Sequence, residues 1–191
     1  MDPDLLSTID RETLARIRQL LEELVHHLKR LGASRPGASL ERVFSIALLL
    51  LTHLELAGGQ LTRANALWFF AGPGLFRSAE QAELRLDHLF ITQFYRTHRQ
   101  ILRLKEENLA AAKALEKALE SQGASMSLGG ESLRALEDMR TDLELLIGIY
   151  EELEEADNVR EYTARRDEIE RRIAALGADS SEALGSPGDQ T

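Results

Sequence analysis

Apolar residues recur along this chain at alternating intervals of three and four, the signature of helices that bury one stripe. Leu14, Ile17, Leu21, Leu24, Leu28 and Leu31 form the first such series, with Asp10 as its N-cap and an Arg35-Pro36-Gly37 turn after it. Leu136, Met139, Leu143, Leu146, Tyr150 and Leu153 form a second. Both stripes are narrow, as in coiled-coil seams, and narrow stripes need partners. Between them, a helix capped by Ser39 runs to about Ala57 and is almost wholly apolar from Val43 to Leu51, which predicts a central position in the core.

Further elements follow from caps and breakers. Thr62 opens a short helix that Ala71-Gly72-Pro73-Gly74 is expected to end. Ser78, with Gln81 three residues on, makes a capping box for another. The stretch Phe90-Ile91-Thr92-Gln93-Phe94-Tyr95 carries the β-branched and aromatic residues that suit a strand, with Ile101 to Leu104 as its pair. Ile91, Phe94, His98 and Ile101 fit helical spacing equally well, so both readings stand. Helix resumes from Glu106 to Gln122, Gly123 to Gly130 reads as a linker, and Asp157 caps a last helix carrying Tyr162, Ile169, Ile173 and Leu176. The Gly-, Ser-, Asp- and Pro-rich residues 177–191 read as a disordered tail. No internal repeat is apparent.

Composition narrows the function. The chain has 191 residues, 43% apolar and 29% charged, with no cysteine, which excludes disulfides and thiol catalysis. No apolar run approaches the roughly 20 residues of a bilayer span, and the acidic start Met1-Asp2-Pro3-Asp4 is unlike a secretory signal, so a cytoplasmic location without membrane contact is expected. Net charge is −9, yet unevenly spread. Residues 60–105 hold Arg63, Arg77, Arg85, Arg96, Arg99, Arg103 and Lys105 against three acids, whereas residues 131–172 hold 14 acidic and 7 basic side chains. A basic middle joined to an acidic arm suggests a polyanion-facing patch, a self-shielding arm or differently solvated faces.

Residues 41–105 resemble the winged-helix domain of bacterial transcription regulators of the MarR and PadR kind. The resemblance rests on a helix ending in Ala57-Gly58-Gly59, on Gln60-Leu61-Thr62 opening the next, on Ala64 and Phe70 at inward positions, and on Leu104-Lys105-Glu106-Glu107-Asn108 as an exit from a wing. It implies a recognition helix at 78–89 and a wing of Phe90–Arg96 and Gln100–Lys105. Independently, Ala79, Ala82, Leu86 and Leu89 make an apolar stripe there, and Arg77, Gln81, Arg85 and His88 a donor-rich face. Those four, with Arg96 and Arg99 at the wing tip, are the expected DNA contacts; a solvated helix face is the plain alternative.

Chemistry is otherwise sparse. Glu23-x-x-His26 has the spacing of a carboxylate–histidine metal pair but no second copy, so no metal or cofactor is expected. His53 and Glu55 lie two apart and do not share a helical face. Gly72-Pro73-Gly74 lacks the Lys-Ser of a phosphate loop, and no nucleophile elbow occurs. An enzyme is not expected. Trp68, Phe69 and Phe70 cannot all face inward from one helix, so one meets a partner. The sequence thus predicts a mainly α protein: an N-terminal helix (1–37), a winged-helix-like core (38–105), helical assembly arms (106–176) and a tail (177–191). Leu14, Ile17, Leu21, Leu24, Trp68, Leu143, Leu146 and Tyr150 are its expected interface, and duplex DNA, a second copy and other protein subunits its expected partners. The competing expectation is a helical adaptor or scaffold, with residues 90–122 as one helix against 131–176.

Overall fold

The computed structural model describes residues 11–34 and 38–184, and seven helices account for nearly all of them: α1 (Arg11–Ser34), α2 (Ala38–Ala57), α3 (Leu61–Leu84), α4 (His88–Leu104), α5 (Asn108–Gly129), α6 (Leu133–Glu152) and α7 (Ala156–Leu184). The Asp10 cap, the 35–37 turn and the side chains of Leu14 and Ser39 lie outside the described residues. Each helix packs on the next in chain order, α4 on α5 most extensively, and α2 also touches α4. Such serial packing makes each element's burial depend mainly on its chain neighbours.

Mainly α stands; the winged helix does not. No strand occurs among the described residues, and both proposed wing strands, Phe90–Arg96 and Gln100–Lys105, lie inside the single helix α4. The reason is two-sided burial. Phe90, Ile91, Phe94 and Ile101 enter a cluster with Leu48 and Leu49 of α2 and Ala64, Trp68, Leu75 and Ala79 of α3. Leu102 enters a second cluster, with Ala111, Leu115 and Leu119 of α5, Leu136, Met139, Leu143 and Leu146 of α6, and Tyr162 and Ile169 of α7. A strand has only two faces and would leave the arginines between these residues on one of them. The proposed recognition helix also dissolves. Ala79 and Ala82 belong to the end of α3, and residues 85–87 are a turn.

Helix α3 runs straight through Gly72-Pro73-Gly74. Ala64, Trp68, Gly72, Leu75, Ala79 and Ala82 are buried at helical spacing across that sequence, so packing overrides the breakers. Pro73 sits on the exposed side, where the carbonyl it leaves unpaired reaches solvent. Ser78 is mid-helix, its hydroxyl 2.7 Å from that of Ser45 in α2. Helix α5 likewise absorbs the expected linker as far as Gly129, anchored by buried Met126. Helix α7 continues beyond Leu176 to Leu184, through the first part of the expected tail, and the remainder lies outside the described residues.

The turns repeat one geometry. After α2, α3, α4 and α6 the backbone closes a Schellman motif, with paired bonds such as Asp87 N–H to Ala82 C=O at 2.9 Å and Glu107 N–H to Leu102 C=O at 3.0 Å. The left-handed residue is Gly59 in the first, but Leu86, Glu106 and Glu154 (φ near +60°) in the others. A non-glycine residue there carries a backbone cost that the two flanking helices hold in place.

Glu106→Gly is therefore expected to stabilise the fold by about 1 kcal/mol, and Glu106→Val to destabilise it by a similar amount. Urea denaturation with an unchanged slope tests both.

Candidate interaction surface

Three polar networks hold successive helices in register. Glu55 of α2 is fully buried (0% exposed) and pairs with Arg18 of α1 at 3.0 Å and Arg63 of α3 at 3.3 Å; Arg63 also pairs with Glu22. Gly58 lets Arg18 in, since a Cβ there would stand 3.1 Å from the guanidinium. Asp142 of α6 accepts from Arg96 Nε of α4 at 2.6 Å, Arg96 also donates to Gln122 of α5 at 3.1 Å, and Gln122 donates to the Ala135 carbonyl. Glu116 of α5 accepts from Tyr150 of α6 at 2.6 Å and Tyr162 of α7 at 2.7 Å, beneath stacked tyrosine rings. Burial, helped by the Glu116 carboxylate, pushes both tyrosine pKa values upward.

The residues expected at DNA fall into separate places. Arg77, Gln81 and Arg85 are exposed towards the end of α3, Arg85 as its C-cap. Gln81 and Arg85 line a shallow cleft with Arg42 and Asp87, and Arg42 pairs with Asp87. His88 opens α4, its Nδ1 3.2 Å from the Ser121 hydroxyl of α5. Arg96 and Arg99 sit in mid-helix, half-buried, with no wing tip to carry them. On that face Arg96, Arg99 and Arg103 follow at helical spacing. Arg103 forms a two-pronged pair with Glu152 of α6 and reaches Asn108 at 2.8 Å.

The residues expected at an interface also divide. Leu143, Leu146 and Tyr150 are buried against α5 and α7 within the chain. Ile17 and Leu21 are half-buried and Leu24 is exposed, as is Leu31, while Leu28 is buried. Trp68 is 5% exposed, stacked on His98 at 5.3 Å and against Phe94 at 5.6 Å. Its neighbours Phe69 and Phe70 are the outward pair, 75% and 83% exposed, with rings 5.5 Å apart. Phe76, 40% exposed, lies on the same helix. The alternation was readable from helical geometry, but which ring of the three turns inward depends on the α4 contact.

No three metal-ligating side chains gather among the described residues; Glu23, His26 and His27 are exposed. Two other histidines are electrostatically unusual. Burial lowers the His53 pKa to about 4, with Arg96 and Arg99 adding to the effect, and burial lowers His98 to about 4, with a smaller contribution from Lys105. A depressed histidine pKa means that the unfolded chain takes up protons first as pH falls. The stability these groups contribute is complete above pH 6.5 and drains away towards pH 4. His98→Phe, which keeps a ring on Trp68, is expected to flatten the decline of melting temperature between those pH values, measured by circular dichroism. No family model, curated protein or solved structure matches this chain.

Proposed function

We propose that this protein is a non-catalytic helical adaptor that docks another protein chain through the outward aromatic face of α3. The observation that carries this reading is the Phe69–Phe70 pair. Both rings stand in solvent on a helix whose opposite face is tightly packed, and no contact among the described residues buries them. Burying two phenylalanines from such exposure is worth roughly 3–5 kcal/mol by area, enough to anchor an interface. Phe76, seven residues on from Phe69 and therefore on the same side of the helix, is also partly exposed and continues the apolar surface.

Duplex contact is less well supported. Arg96 is committed to Asp142 and Gln122, and Arg103 to Glu152. The acids that hold these cations would face the phosphates too, and the chain's net charge of −9 adds long-range repulsion. The serial stack offers rigid, extended helical faces, which suit a scaffold better than chemistry.

A photo-crosslinking phenylalanine analogue at position 70, introduced in the native host, tests the reading against the same label at exposed Arg165. A discrete protein adduct at position 70, lost on Phe69→Ser, is expected. Phe69→Ser should change folding stability by less than about 0.5 kcal/mol, as exposed sites do. Labelling at position 70 no stronger than at position 165 would overturn the proposal.

A further inference from the structure

We infer that the side of the α1–α2 hairpin turned away from α3 is the surface through which two copies of this chain pair, as a four-helix bundle about a two-fold axis. The inference stands apart from the aromatic docking reading, since Phe69 and Phe70 lie on α3 and take no part in it.

Helix α1 has two distinct sides. Arg18 and Glu22 pair with Glu55 of α2 and Arg63 of α3, which marks the side turned toward α3. At about 100° per residue, Leu20, Leu24 and Leu31 fall on one line on nearly the opposite side. Helix α2 repeats the division. Ser45 and Glu55 reach Ser78 and Arg63 of α3, while Val43, Ile46 and Leu50 follow at spacings of three and four on the far side. The two helices run antiparallel, with Arg18 beside Glu55. That register sets Leu24 level with Leu50 and Leu31 level with Val43, so the two lines form one continuous strip. Its six side chains are 36–57% exposed.

The extent and make-up of the strip point to a second copy. Weighted by exposure, the six side chains offer about 450 Å² per copy, most of the apolar share (about 65%) of the roughly 800 Å² that each partner gives to a stable dimer. All six are aliphatic, like a domain core cut in half, which is how permanent pairs of like chains are built. Contacts between unlike chains lean on Trp, Tyr and Arg anchors, and the strip holds none of these. A layer of two antiparallel helices with one bare apolar strip is completed by the same layer turned over. Charge permits the pairing. Residues 11–57 carry seven basic and five acidic side chains, and the excess of acids lies in residues 131–172, on α6 and α7 at the other end of the order of helix contacts. Two copies meeting through their hairpins bring near-neutral surfaces together and keep the acidic helices apart.

Sedimentation velocity of the full chain, from low micromolar to a few hundred micromolar, tests the pairing. At the upper end the parent should sediment at twice its monomer mass of 21.4 kDa. Leu20→Lys/Val43→Lys should weaken pairing about tenfold or more, because the two-fold axis makes each substitution count twice. Phe69→Ser should pair as the parent does. Because the chain holds no cysteine, a Leu24→Cys variant gives an independent reading. Maleimide labelling at position 24 should slow as protein concentration rises, while labelling of Arg165→Cys should not. A parent that stays monomeric throughout would overturn the inference. Fast labelling at position 24 in that monomer would leave the strip to a different partner, and slow labelling would mean that the chain covers it itself. Pairing that survives Leu20→Lys/Val43→Lys, or that is lost on Phe69→Ser, would also overturn it by placing the contact elsewhere. If the double variant fails to fold, labelling decides, and a rate at position 24 that does not depend on concentration sinks the pairing.

Discussion

Helix α4 has to serve two apolar cores and a polar seam at once, and most of the structure follows from how its residues divide that duty. Phe90, Phe94 and Ile101 face α2 and α3, while Leu102 faces α5, α6 and α7. Tyr95 packs against both clusters and donates to Glu83 of α3 at 3.0 Å. The remaining arc carries Arg96, Arg99, Gln100 and Arg103. A helix can present three such arcs; a strand cannot. Burial on two sides therefore decides the conformation of a segment whose β-branched and aromatic content is neutral between the two.

The seams between helices carry carboxylates at intervals. Glu55 joins α1, α2 and α3; Asp142, through Arg96 and Gln122, joins α4, α5 and α6; Glu116 joins α5, α6 and α7. Apolar stripes of leucine and alanine tolerate sliding by a turn, because neighbouring turns look alike. A buried carboxylate that must meet a particular arginine or tyrosine does not. These networks add little net stability over well-packed apolar residues, but a shifted register would strand a charge in the core, at a cost of several kcal/mol. Register along the stack is thus specified electrostatically, while cohesion is supplied by the two cores. Arg99 departs from this scheme: its Nε is buried without an acceptor among the described residues.

Much of the fold was legible as periodicity. The stripe of α6 and the apolar run of α2 read directly, and both supply buried core residues. Two of the misplaced helix ends share one cause, local breaker signals taken as decisive. Gly72-Pro73-Gly74 and Gly123-to-Gly130 lie inside helices because Leu75 and Met126 are buried beside them. Conversely, the turn at Leu86 carries no glycine and breaks the helix where periodicity ran on. Of the candidate site residues, Arg96 and Arg99 were expected at a wing tip, but their setting was misread, since Asp142, which pairs with Arg96 and acts on Arg99, lies far along the chain.

By itself, the sequence determined that this chain is helical, has no cysteine chemistry, and must turn at least one of three adjacent aromatic rings outward. Those properties follow from residue type and short-range spacing. Only the tertiary structure decided which ring turns inward, because Trp68 finds Phe94 and His98 on a helix that follows later. Only it decided which arginines are spent on internal partners, because a side chain's charge is local but its counter-ion is not.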